Sequence, residues 1–158
     1  MGTENKNMDP RFISYDPARG FPGVMPSLRY EDVGGAIAWL STAFGFKEHL
    51  RWTNKDCVVL HAEMRIKDAF IELSRAGNDY KSPRQLGGVS GTIIVFVEDV
   101  NEHYKQALAA AARILAEPED KPWGLRQYTA EDIEGHRFEF SQFLKDVPYA
   151  SWGAQLME

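Results

Sequence analysis

The triplet Glu-Asp-Val occurs twice in this chain, at residues 31–33 and 98–100, an offset of 67 residues. Each copy closes an alternating, strand-like run and opens a stretch of helical periodicity. In the first copy Asp32 can cap a helix with the stripe Val33, Ile37, Leu40 and Phe44, and Gly45 suits its end. In the second, Asp99 can cap a helix with the stripe Val100, Tyr104, Ala107/Leu108 and Ala111. Such a repeat constrains the fold more than a single motif does, because both halves must follow one order of elements.

Strand-like segments follow each helix. After the first come KEHLRWT (47–53), CVVLHAEMRI (57–66) and AFIELS (69–74), with turns at 54–56 and 67–68. After the second come an irregular segment, EPEDKPWG (117–124), and strands at 125–132 and 136–143 around a DIEG turn. The expected fold is α+β, with two βαβββ modules at 25–74 and 91–143 inside a domain spanning 25–145. Residues 75–90 read as a polar connection, 1–24 as an N-terminal arm and 146–158 as a C-terminal tail.

The size, 158 residues, suits one domain with a substantial core. A net charge of −5 without any Lys/Arg run disfavours nucleic acid. The apolar runs are too short for a bilayer, and no apolar leader precedes the first module. Cys57, the lone cysteine, excludes an internal disulfide and reads as a small core residue at a strand start. Together these lead to an expected cytoplasmic location, with no nucleic acid or membrane partner.

The segments LRYEDVGGAIAWLSTAFGF (28–46), AFIELS (69–74), TIIVFVEDV (92–100) and WGLRQYTAEDIEGHRFEFSQ (123–142) resemble the vicinal oxygen chelate superfamily. That group includes glyoxalase I, extradiol dioxygenases, and fosfomycin- and bleomycin-resistance proteins. The last segment is most similar to the bleomycin-resistance and PhnB-like branch. The resemblance implies a curved mixed sheet around a cavity, a homodimer, and in metal-using members four ligands on the first and last strands of each module. Carried across, those positions are Met25, Glu72, Thr92 and Glu139, so both carboxylates are kept and both nitrogen ligands are absent. A thioether and a neutral hydroxyl are poor donors for the ions this fold holds, so a divalent metal is disfavoured and no cofactor is expected.

The acidic stretch EDIEGHRFEF (131–140) looks at first like half of an acid–base site. In a strand, however, His136 and Glu139 are an odd offset apart and point to opposite faces. EDIEG is read as a turn with solvated acids, His136 as an exposed or turn-stabilising residue, and Glu139 as facing the cavity with Glu72. Arg29 and Arg137 share those faces and could brace them in an ion-pair network, or anchor a ligand beside a carboxylate base. The expected ligand-binding set is Met25, Ser27, Arg29, Phe70, Glu72, Thr92, Ile94, Phe96, Trp123, Tyr128, Arg137 and Glu139, with Glu72 and Glu139 the weak catalytic candidates. Trp39 and Trp52 read as packing residues, and Trp152 as folding back over the sheet or crossing to a partner. His61 and His103 read as solvent-facing and without a role; His49 could face either way.

The expected function is metal-independent binding or sequestering of a small organic ligand, aromatic or cationic, the net charge agreeing with a cation. The alternative is a metal-dependent glyoxalase- or dioxygenase-like enzyme.

Overall fold

The structure is a computed structural model and describes residues 22–157, so most of the expected arm (1–24) lies outside the described residues. The first module runs β1 (Ser27–Tyr30), α1 (Val33–Phe44), β2 (Lys47–Thr53), β3 (Val59–Ile66) and β4 (Ala69–Arg75). After a short capped turn of helix, α2 (Pro83–Leu86), the second runs β5 (Thr92–Phe96), α3 (Val100–Ala109), β6 (Arg113–Asp120), β7 (Leu125–Glu131) and β8 (Arg137–Phe143). Each module forms its own four-stranded sheet, ordered β1-β4-β3-β2 and β5-β8-β7-β6. In both, the first and last strands are parallel neighbours and the others antiparallel. The fold is therefore α+β with two βαβββ modules.

Local chemistry accounts for the helix ends. Asp32 is the N-cap of α1 and accepts from Gly35 N–H at 3.0 Å. A Cβ on Gly35 would lie 2.5 Å from Asp32 Oδ2, so the low-propensity glycine makes room for the cap. Gly45 closes the helix at φ 76°, a left-handed conformation that glycine adopts without strain. Asp99 repeats the N-cap on α3, accepting from Asn101 and Glu102 N–H.

Both helices pack on one face of their sheet and against each other, forming a single core. Phe44, from the end of α1, meets Phe138 and Phe140 of the other module's β8, with ring centroids 5.2 and 4.7 Å away. Burying one such phenylalanine contributes about 1.5–3 kcal/mol, so the two modules stabilise one another. The other face of each sheet carries exposed apolar side chains. Trp52 is 61% exposed there, Ile94 58% and Phe96 56%.

Several sequence expectations need correction. Residues 113–120 are a strand, β6, although its alternation is broken by two register shifts against β7 and by Pro118. An edge strand tolerates both, and neither leaves a period-2 pattern to detect. Cys57 is exposed in the β2–β3 turn with φ 61°, not buried in a strand. Trp52 lies on the open face opposite His61, not in the core.

Candidate functional site

Parallel pairing fixes which residues flank the two carboxylates. Ser27 lies beside Glu72 and Ile94 beside Glu139. Each is two residues past the ligand position carried over from the resemblance. Met25 falls just ahead of β1, and Thr92 pairs with Arg137. In either register the partners of the carboxylates are a thioether, a hydroxyl or a hydrocarbon. Among the described residues, no three His, Cys, Asp or Glu side chains converge as a metal cage. This donor set does not fit a resident divalent ion.

Both carboxylates instead have side-chain partners on their own sheet. Glu72 accepts from Ser74 Oγ, and His61 Nδ1 lies 3.3 Å from its Oε1 and 3.3 Å from Ser74. Gln127 Nε2 donates to Glu139 at 2.7 Å and to Ser141 at 2.8 Å, while its carbonyl accepts from Trp123 Nε1 at 3.1 Å. Trp123 in turn packs on Trp152, 6.0 Å between centroids, so the C-terminal 3₁₀ turn (Tyr149–Trp152) folds back over this end. The expected pairing of the arginines with these carboxylates does not form. Arg137 lies 3.6 Å from Glu131, and Arg29 sits 4.5 Å over the Tyr80 ring.

Two cavities lie along β1, β4 and the facing strand β5. One, about 290 Å³, is lined by Ser27, Arg29, Lys81, Thr92, His136 and Arg137 together with the 88–91 loop. The other, about 330 Å³, is lined by Val24, Pro26, Phe46, Phe70, Ile94 and Phe96 with their strand neighbours. Ile93 lines both. Seven expected binding residues thus gather at this seam: Ser27, Arg29, Thr92 and Arg137 at one end, Phe70, Ile94 and Phe96 at the other. Glu72 and Glu139 line neither cavity. Tyr128 does not join them either. It is buried on the helix-packed face, where its hydroxyl bonds His103 Nδ1 at 2.7 Å, and burial raises its pKa.

The histidines and the acidic turn differ from expectation. His103 is half-buried between the helices, with Nε2 3.0 Å from Phe44 O, and burial holds its pKa below the ordinary value. Its spacing from Val100 (i+3) and Ala107 (i−4) is the signal that could have placed it in the core stripe. His61 joins Glu72 through cross-strand register, which no local pattern encodes. Asp132 and Glu134, expected to be solvated, are only 6% and 5% exposed. Asp132 accepts from Tyr30 OH at 2.6 Å and from the N–H groups of Glu134 and His136, both at 2.9 Å. Glu134 accepts from Glu31 N–H through both oxygens, at 2.8 and 2.9 Å, at the start of α1. Burial pushes both carboxyls above their ordinary pKa. His136 is buried as well: its Nε2 lies 2.7 Å from Arg29 O and its ring 4.5 Å from Tyr30.

Comparison with known proteins agrees with this fold. The chain is 35% identical to TioX from Micromonospora sp. ML1, with a TM-score of 0.63 over 77% of this chain and all of that one. A glyoxalase/bleomycin resistance protein/dioxygenase family enzyme from Burkholderia phytofirmans PsJN shares the fold at 17% identity and a TM-score of 0.59, over 75% of this chain and 95% of that one. An uncharacterised protein of Mycobacterium bovis is 30% identical over 131 residues, covering 80% of this chain and 86% of its own length. The profile of the Glyoxalase/Bleomycin resistance protein/Dioxygenase superfamily matches residues 24–140, and the chain belongs to that superfamily.

Proposed function

We propose that this chain binds and sequesters a small organic molecule without a resident metal, in the manner of the bleomycin-resistance-like branch. The observation that carries this reading is the seam between the modules. It gathers seven expected binding residues around two cavities that share Ile93, while the family's nitrogen-ligand positions hold Met25 and Thr92. Cavities of about 300 Å³ and above suit small ligands. The expected homodimer, in which a second copy covers the open faces, is part of the same proposal. It is supported by the exposure of Trp52, Ile94, Phe96 and Phe143 on those faces. Metal analysis of the purified protein tests the central claim: substoichiometric divalent metal is expected. A stoichiometric ion that disappears in Glu139→Ala would overturn it.

A second reading rests on one feature, His61 beside Glu72 on an open face. An imidazole–carboxylate pair can take up a proton from a bound molecule without a metal. Under that reading Glu72→Gln abolishes turnover while ligand affinity is kept; under the binding reading the variant binds as the parent does.

A further inference from the structure

The two cavities at the seam differ in character, and the difference points to a class of ligand. The end bounded by Ser27, Thr92 and the 88–91 loop brings together Arg29, Lys81 and Arg137, and among the described residues that line it there is no carboxylate. Among the described residues Arg137 has one acidic neighbour, Glu131, at 3.6 Å, and that carboxylate is shared with Arg113 at 2.9 Å. Arg137 Nε is buried and has no hydrogen-bond partner among the described residues. That enclosed atom is out of a ligand's reach, but the Arg137 side chain as a whole is 41% exposed, so an anion can approach the rest of its guanidinium from the cavity side. Arg29 is held in place by its stacking over Tyr80.

The other end is built from Val24, Pro26, Phe70, Ile94 and Phe96, with Lys67 and Asp68 as its charged members. These two are of opposite sign and leave no local excess of charge. Ile93 lines both cavities, and the β5 backbone from Thr92 to Phe96 runs along both. At about 3.3 Å per residue that path is about 13 Å long. Its cationic end and its aromatic end are thus separated by roughly the length of an arylalkanoate. The net charge of −5 belongs to the whole surface and does not describe this seam, where the local sign is reversed.

We propose that the seam takes an amphipathic organic anion, its carboxylate against Arg29 and Arg137 and its aromatic or aliphatic body against Phe70, Ile94 and Phe96. This rests on the seam being the small-molecule site. Calorimetric titration of the full chain with three matched probes tests it: 4-(2-naphthyl)butanoate, the corresponding amide, and 4-(2-naphthyl)butylammonium. The butanoate is expected to bind at least tenfold more tightly than either relative. Arg137→Gln and Lys81→Gln should each remove much of that preference, and Phe96→Ala should weaken butanoate and amide alike. Lys81 is exposed, so its variant remains informative even where Arg137→Gln disturbs the sheet. Equal binding of all three probes, or tightest binding of the ammonium, overturns the anion assignment while leaving a small-molecule site in place. Binding that is indifferent to Phe96→Ala and to both cation variants places the ligand elsewhere and overturns the seam itself.

Discussion

At the end of β1 the Tyr30 hydroxyl donates to Asp132, Glu31 N–H donates to Glu134, and Arg29 O lies within hydrogen-bond reach of His136. At the equivalent end of β5, 67 residues later, Val97 stands in place of Tyr30, and among the described residues the polar contact across the modules there is the ion pair Lys67–Glu98, at 3.3 Å. The two junctions occupy matching places in like modules, yet one is a buried polar network and the other a solvated contact. The difference lies in the opposing turns. Residues 132–135 make a longer turn, closed by Gly135 N–H to Asp132 O, that carries two carboxylates to β1. The β3–β4 turn has only Lys67 and Asp68 and carries none that far. Duplicated modules thus share strands and helices, while the turns decide how each half is fastened to the other.

Emptying the buried junction should have the largest effect. Asp132→Ala leaves Tyr30 OH and two backbone N–H groups without their acceptor. Orphaned buried donors cost about 1–3 kcal/mol each before relaxation, so a loss of about 3 kcal/mol or more is expected in urea denaturation. A loss below about 1 kcal/mol would mean that water satisfies the network as readily as Asp132 does. Tyr30→Phe removes a single donor and should cost about 1–2 kcal/mol.

The same junction should set a pH signature. Burial raises the Asp132 carboxyl above its ordinary value of 3.8, against the pull of Tyr30, His136 and two backbone donors. Below the ordinary value the acid is protonated in folded and unfolded chains alike, and no penalty applies. As pH rises through the raised folded value, the buried group must ionise and stability is lost. Asp132→Asn keeps an acceptor for the backbone and cannot ionise. Its stability relative to the parent should therefore climb from pH 4 to pH 7, as followed by urea midpoints in parallel. A flat difference would show that the turn opens and solvates the carboxylate.

Much of this was open to sequence reasoning, and the exceptions have physical causes. The 67-residue repeat located both modules because α1, α3 and their Asp caps obey local rules. Within β8 the alternation set Phe138 and Phe140 on the buried face and Glu139 on the other, while His136 lies just ahead of the strand. What could not be read was anything fixed by distant pairing. Asp132 and Glu134 look like solvent-facing turn acids until Tyr30 and Glu31, about a hundred residues earlier, are brought against them. The cationic end of the seam joins Arg29 to Lys81 and Arg137, each from a different segment, so neither spacing nor net charge announced it.

The exposed junction supplies the control, and the smallest expected change. Lys67 and Glu98 side chains are both mostly solvated, so their attraction is screened and offset by the ordering of two long chains. Lys67→Ala should shift the urea midpoint by no more than the equivalent of about 0.5 kcal/mol, and added salt should shrink that shift toward zero. Lys67 also sits at φ 53°, a strain that alanine shares, so the substitution isolates the ion pair and not the backbone. If this variant lost as much stability as Tyr30→Phe, the two junctions would be energetic equals. The asymmetry inferred from burial would then fail, because a solvated pair would be fastening the modules as firmly as a buried network does.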